Sequence, residues 1–307
     1  MTTYHTPALL AASIDALAVR PDGVYVDATF GGGGHSREIL RRLGPEGRLY
    51  AFDQDEDAQA NLPSDSRLVF VHGNFRYLRN FMRYHDVEQI DGLLADLGVS
   101  SHHFDDAGRG FSFRFEEGAL DMRMNRRSGL RAADVLADYP QEALASVFRS
   151  YGELDQAGRA AALIVRARDS QPVDTVARLK EVLAPVLKKD REKKELAKVF
   201  QALRIEVNAE MEALEQLLRQ SLQLLRPGGR LAVISYHSLE DRLVKNFMRA
   251  GNFDGRVEQD FYGNRLSPLR PVGKVVRPSA QEEADNPRAR SAKLRVAEKI
   301  QETTEKG

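Results

Sequence analysis

The feature that most constrains this chain is a run of four glycines between two regular segments, Asp27-Ala-Thr-Phe-Gly-Gly-Gly-Gly-His-Ser36. Before it lies Val24–Thr29, a β-branched run that reads as a buried strand. After it, Ser36–Leu43 carries apolar residues at Ile39, Leu40 and Leu43, a helical spacing. Glycines between a strand and a helix permit positive φ and let the backbone approach a ligand without a Cβ. The helix start beyond them offers unpaired N–H groups. About 20 residues after the loop, the strand Arg48–Asp53 ends in an acid, placed to hold ribose hydroxyls.

The same alternation continues with strand-like runs at Arg67–Gly73 and Asp91–Leu97, which together predict βαβ units and a parallel sheet. After Ser101 the pattern changes to repeated helices at Ala132–Leu136, Gln141–Tyr151, Gly158–Arg168 and Thr175–Leu187. A long helix over Lys198–Leu225 precedes Arg226-Pro-Gly-Gly229, read as a turn, then strands at Arg230–His237 and Ser291–Lys299. The expected organisation is an α/β sheet domain interrupted by a helical insertion: residues 1–104, an insertion at 105–197, and 198–307. Leaving the sheet after a strand's carboxyl end, the insertion is a candidate substrate-recognition domain. A length of 307 residues, above the roughly 100–200 of one domain, agrees with two unequal units.

Composition excludes several classes of function. Forty-five basic residues balance forty-five acidic ones, so no global field draws the chain to nucleic acid, and any such contact comes from local patches. Candidates are Arg109–Arg114, Arg123–Arg131, Lys188–Lys198, Arg265–Arg277 and Arg288–Arg295. In the first of these, Phe111, Phe113 and Phe115 interleave with Ser112 and Arg114, as either a nucleic-acid surface or an insertion core. The acids within Lys188–Lys198 favour a solvated face. With no cysteine there is no disulfide framework and no thiol chemistry, and no metal site is expected at His102–His103. Neither a signal-peptide layout nor a bilayer-length apolar run is found, which leads to an expected cytoplasmic protein without membrane contact.

Of two acids near the loop, one favours S-adenosylmethionine over a nicotinamide dinucleotide as the ligand. Asp27, just before the loop, suits an ammonium or sulfonium better than a pyrophosphate, while Asp53 is compatible with either. His35, at the helix start, either packs, caps or touches cofactor. Phe75 in His72-Gly-Asn-Phe75 is either an adenine wall or a core ring at a turn. Asp96 ends an otherwise apolar strand, and a buried carboxylate requires a polar partner or ligand. Ser235–Arg242 ends the next strand, where Tyr236 or His237 offers a stacking surface for a flipped base. The competing reading makes Ser238 a helix N-cap with Asp241 as its capping-box acid.

The segments DATFGGGGHS, AFDQD, HGNF, DGLLADLGVSS, RGFSFR with LDMRM, FQALRIEVNAE, LRPGGRLAVISYHSLEDRLVK and NPRARSAKLR follow in order along nearly the whole chain. Together they closely resemble the bacterial 16S ribosomal RNA cytosine-N4 methyltransferases, the MraW family. The resemblance implies a class I (Rossmann-like) methyltransferase fold with a helical insertion and S-adenosyl-L-methionine as donor. It further implies a decoding-region cytidine of 16S ribosomal RNA as acceptor, a cytoplasmic setting, and a monomer or homodimer. Carried over by position, cofactor contacts fall on Gly33, Gly34, His35, Asp53, Phe75 and Asp96. One further contact, a Gln in the family's SSxQ pattern, is His103 here. Catalytic candidates are Asp96, orienting the amine or else holding the methionine ammonium, and His237. Resemblance raises Arg204 and Asn208, one helical turn apart, from surface to cleft-facing positions.

Three other readings compete. A DNA amino-methyltransferase usually carries a polar–Pro–Pro–aromatic motif where this chain has Asp96-Leu-Gly-Val. A cofactor-binding RNA-binding or ribosome-assembly protein would bind without turnover. A nicotinamide dehydrogenase would need a hydride-transfer pair near a second nucleotide-binding half, which the sequence does not offer.

Overall fold

The computed structural model describes residues 7–99, 104–127, 129–188 and 190–301. The chain divides into two compact units, Met1–Gly98 with Glu212–Gly307, and Val99–Met211.

Among the described residues, the first unit is built on nine strands: β1 (Val24–Asp27), β2 (Arg48–Asp53), β3 (Leu68–His72), β4 (Ile90–Asp96), β5 (Leu225–Ser235), β6 (Glu258–Gln259), β7 (Arg265–Leu266), β8 (Leu269–Pro271) and β9 (Lys293–Lys299). Seven of them form one sheet in the order β3-β2-β1-β4-β5-β9-β8, while β6 and β7 pair as a separate hairpin. The neighbours from β3 through β5 are parallel, and β9 runs antiparallel to both β5 and β8. This is the Rossmann-like, class I sheet that the resemblance implies. The strand Ser291–Lys299 is thus real but antiparallel, beginning at Lys293 after a short 3-10 turn over Pro287–Ser291.

The central strands form because they can be buried on both faces. In β4 every residue from Ile90 to Ala95 is buried, which is why it reads as a continuous apolar run rather than an alternation. Helices cover both sides: Leu10–Leu17 and Gly34–Arg42 contribute Ile14, Leu17, Ile39 and Leu40 to one core cluster. Leu214, Leu217 and Leu218 of Glu210–Leu224 join Val244 and Phe247 of Ser238–Ala250 in the other.

Two details depart from the sequence expectation. Arg226–Gly229 does not precede its strand; it is a bulge within β5, where Leu225 pairs with Ile90 and Arg230 with Gly92. The extra residues let Pro227 sit in a strand without breaking the ladder. The long helix is interrupted at Ala209, whose φ of 47° is left-handed, giving Glu192–Asn208 and Glu210–Leu224.

The second unit is helical, with Ala132–Asp138, Gln141–Ser150, Ala157–Arg168, Val176–Leu183 and Glu192–Asn208 around one core. It runs to Met211, past the boundary expected at residue 197, because Val199, Phe200, Ala202 and Leu203 belong to that core. Two sequence-based assignments change here. Phe111 is buried and Phe113 packs edge-on to Phe200 at 5.6 Å, so these rings are interior rather than nucleic-acid-facing. Arg109 is 1% exposed and donates to the Arg123 and Met124 carbonyls. Arg204 and Asn208 are structural: Arg204 makes a two-pronged pair with Glu210 at 2.8 and 2.9 Å. Asn208 donates to the Met122 carbonyl and accepts from the Met124 N–H, both at 2.8 Å. Of Lys188–Lys198, Lys193 and Lys194 are exposed on a helix, as a solvated face should be.

Candidate active site

In an open parallel sheet, ligands bind beyond the carboxyl ends of the strands where strand order reverses. Here the chain runs outward through β1, β2 and β3, then returns to place β4 on the other side of β1. The carboxyl ends of β1 and β4 carry Asp27 and Asp96, and that of β2 carries Asp53.

The loop after β1 is held from beneath. Asp27 is fully buried; its carboxylate accepts from the Thr29 N–H at 3.1 Å and from the Ser36 hydroxyl at 2.6 Å. Burial pushes this carboxyl up, against the pull of His35, Ser36 and Thr29. Asp27 therefore shapes the loop rather than reaching a ligand, because its side chain has no accessible surface and its oxygens are engaged. Gly33 sits at φ 74°, and a Cβ there would lie 2.8 Å from the Phe30 ring, so only glycine closes this turn. Gly34 then begins the helix Gly34–Arg42, with His35 and Ser36 in its first turn.

Asp53 ties the second strand to the loop. Its carboxylate accepts from the Gly31 and Asp55 N–H groups, each at 2.8 Å. Burial nevertheless dominates and pushes its carboxyl up to about 6. The third strand's loop joins through Gly73, which donates to the Asp53 carbonyl, and Asn74, whose amide donates to Gln54 at 2.9 Å. Phe75 follows, half-buried and partly packed on the sheet core.

At β4 the Asp96 N–H donates to the Thr29 hydroxyl at 2.7 Å, locking the end of this strand to the glycine loop. The Asp96 carboxylate accepts from the Gly98 N–H and from the Tyr236 hydroxyl, and lies 4.0 Å from Nδ1 of His35. Burial raises the Asp96 carboxyl, opposed first by His35. His35 is 4% exposed, and its Nε2 is buried with no hydrogen-bond partner among the described residues. An orphaned buried nitrogen beside two acids is unusual in a finished core and marks a place for another polar group.

His237 does not join this group. It is the N-cap of Ser238–Ala250: its Nδ1 accepts from the Glu240 N–H, and the Glu240 carboxylate accepts from the Tyr236 and His237 N–H groups. The capping box expected from Ser238 to Asp241 thus exists one residue earlier. Asp241 is freed to pair with Arg295 at 2.7 Å and Lys293 at 3.0 Å on β9. His103 lies outside the described residues. Thr29, Ser36 and Glu240 were not singled out from sequence, although Glu240, three residues after His237, fits a capping-box spacing.

Asp53, His35 and Asp96 are thus linked to one glycine loop, and Phe75 to the adjoining turn. Carboxylates predominate and no phosphate-binding cation is among them, so this donor set suits a ligand that is cationic and carries hydroxyls. A Cβ at Gly31 would meet nothing within 4 Å, so the loop is open there, and the acids supply the polarity; these residues fit S-adenosylmethionine.

The family model for the MraW methylase family matches residues 2–300. The chain is 61% identical over 299 residues to Ribosomal RNA small subunit methyltransferase H of Parabacteroides distasonis, covering 97% of this chain and 98% of that one. The protein of the same name from Bacteroides thetaiotaomicron is 60% identical over 97% of this chain and 98% of its own. That from Flavobacterium johnsoniae is 54% identical, with 98% and 100% covered.

Proposed function

The chain belongs to the MraW methylase family, and from that membership we propose that it methylates N4 of a cytidine in the decoding region of 16S ribosomal RNA. It is an S-adenosyl-L-methionine-dependent ribosomal RNA methyltransferase; the base, the atom and the region are the proposal. The relatives' shared name, near full-length identity and the site described above support it.

When bound, the cofactor supplies a methyl group made electrophilic by its sulfonium. Asp53 accepts from ribose hydroxyls, and the glycine loop admits the cofactor without side-chain obstruction. His35, with Nδ1 4.0 Å from the Asp96 carboxylate, helps to position that acid beneath the same ligand. Phe75 provides an apolar surface for the adenine ring.

The amine of cytosine is a poor nucleophile because its lone pair is delocalised into the ring. Asp96 accepts a hydrogen bond from that amine, orients it, and stabilises the positive charge that grows on nitrogen as the new C–N bond forms. The proton leaves after attack begins, so no strong base is needed beforehand. Tyr236 fixes the Asp96 carboxylate and presents an aromatic ring at the end of β5. The pairing of Asp96 with Tyr236 at the carboxyl ends of β4 and β5 is the observation that supports this reading, since an oriented acceptor at the topological switch point is what the reaction needs. Of the two candidates offered at this strand end, Tyr236 and His237, this reading takes Tyr236. The helical unit Val99–Met211, entering directly after Gly98, is assigned to substrate recognition.

The test is transfer of labelled methyl from S-adenosylmethionine to small ribosomal subunits lacking the modification, to free ribosomal RNA, and to DNA. Label on ribosomal RNA alone supports the reading. Cofactor binding with no transfer to any of the three would instead leave a binding protein without turnover.

A further inference from the structure

Among the described residues, nine large hydrophobic side chains are exposed, and five of them fall between residues 261 and 276. Two stand at the tip of the β6–β7 hairpin, where Phe261 is 97% and Tyr262 86% exposed. Rings this exposed gain nothing from the protein's own core. The turn carrying them is nevertheless firmly built. Asp260 accepts from the Tyr262 and Asn264 N–H groups and from the Asn264 side-chain amide, each at 2.8 Å. Its own N–H donates to the Asn264 carbonyl, and Gly263, at φ 82°, completes the turn. The two rings meet edge to face at 5.6 Å with planes 87° apart, forming a corner with open faces.

Charge identifies the occupant. Residues 256–277 hold five basic and two acidic side chains in a chain whose net charge is zero. Arg256, Arg265, Lys274 and Arg277 are exposed and make no ion pair among the described residues, while Arg270 pairs with Glu298. Unpaired cations beside exposed aromatic faces are the combination that binds single-stranded nucleic acid, with rings stacking on bases and cations on phosphates.

We propose that the hairpin Glu258–Leu266 is an RNA-docking element, separate from the cofactor loops, which stacks an unpaired base against Phe261 and Tyr262. It rests on the reading of ribosomal RNA as substrate and adds to it a surface that determines affinity. These rings hold RNA without touching the reacting atoms, so they govern KM and not kcat.

The full-length protein is titrated with a fluorescein-labelled single-stranded RNA copying the decoding-region strand, by anisotropy, as wild type, the double variant Phe261→Ala/Tyr262→Ala, Tyr262→Phe, and Arg265→Gln. The double variant should bind about tenfold or more weakly, while Tyr262→Phe stays near wild type. Arg265→Gln should flatten the salt dependence by roughly 0.7 in log–log slope. Melting temperature and cofactor affinity, measured alongside, should not move. Equal binding by wild type and double variant overturns the proposal, as does loss of a self-associated species without loss of RNA affinity, which would make the tip a contact between copies. Methyl transfer is assayed separately: RNA binding that depends on the rings with no transfer would sink the catalytic reading while sustaining this one.

Discussion

Tyr236 donates its phenolic hydrogen to the carboxylate of Asp96, bridging the carboxyl ends of β4 and β5, where Asp96 lies in register with Ile234. Burial, and then the charge of Asp96, push the Tyr236 hydroxyl far above its usual range, so it stays protonated and remains a donor. Gly98 allows this packing, since a Cβ there would lie 2.9 Å from the Tyr236 ring.

Replacing Tyr236 by Phe should therefore slow methyl transfer about tenfold or more at neutral pH with little loss of stability. That hydrogen bond lowers the Asp96 carboxyl, so removing it raises it. The acidic limb of the pH–rate profile should move to higher pH. An unshifted profile with an unchanged rate would exclude the pair from catalysis.

Asp53 predicts how cofactor binding depends on pH. Its carboxyl is pushed up to about 6, so it protonates as pH falls through that value and stops accepting from two hydroxyls at once. Calorimetric affinity for S-adenosylmethionine should drop below pH 6, and Asp53→Asn should be weak and insensitive to pH there. The sign for stability is opposite. A folded value raised above the usual 3.8 contributes stability that is complete below 3.8 and is lost as pH rises through about 6. The melting temperature of wild type should thus fall as pH rises from about 4 to 7 by more than that of Asp53→Asn, and equal slopes would contradict the raised carboxyl.

Ser36→Ala removes the hydroxyl that Asp27 accepts from at 2.6 Å within a fully buried site. Leaving a buried carboxylate short of a partner should cost about 1–3 kcal/mol, read as a lower denaturation midpoint. Cofactor affinity should fall with it, because the same contact fixes the start of the helix Gly34–Arg42. A variant as stable as wild type would contradict the role given to Asp27.

His237 separates capping from catalysis. His237→Ala should lose about 1 kcal/mol of stability, and His237→Asn, with a good N-cap side chain, should regain most of it. Both should keep kcat near wild type. A large drop in kcat for His237→Asn, at normal stability, would return His237 to the catalytic group.

Much of this fold was legible because parallel strands buried on both faces leave unbroken apolar runs, as in Ile90–Ala95, and because Gly33 marks a turn that other residues cannot make. Asp53 and Asp96 were readable as acids at strand ends. The errors share one physical cause, that spacing does not reveal which neighbour a side chain meets. Asp27 looked like a ligand residue until Ser36, nine residues away, claimed it. Phe111 and Phe113 alternate with polar residues, which left surface and core both open, and only their packing decides for the core. Pro227–Gly229 carries the chemistry of a turn, and only pairing with β4 shows a bulge. The capping box at His237 was missed by one position because Ser is the commoner cap.

The central claim is that Asp96 orients a cytosine amine, and nucleoside mass spectrometry of ribosomal RNA after single-turnover methylation tests it most directly. Undermodified small subunits are treated with wild type or with Asp96→Asn, at cofactor concentrations that saturate each protein. The account predicts N4-methylcytidine from wild type and at least a hundredfold slower formation by the variant. A methyl group on any other atom, or an Asp96→Asn rate equal to wild type once saturated, would contradict it.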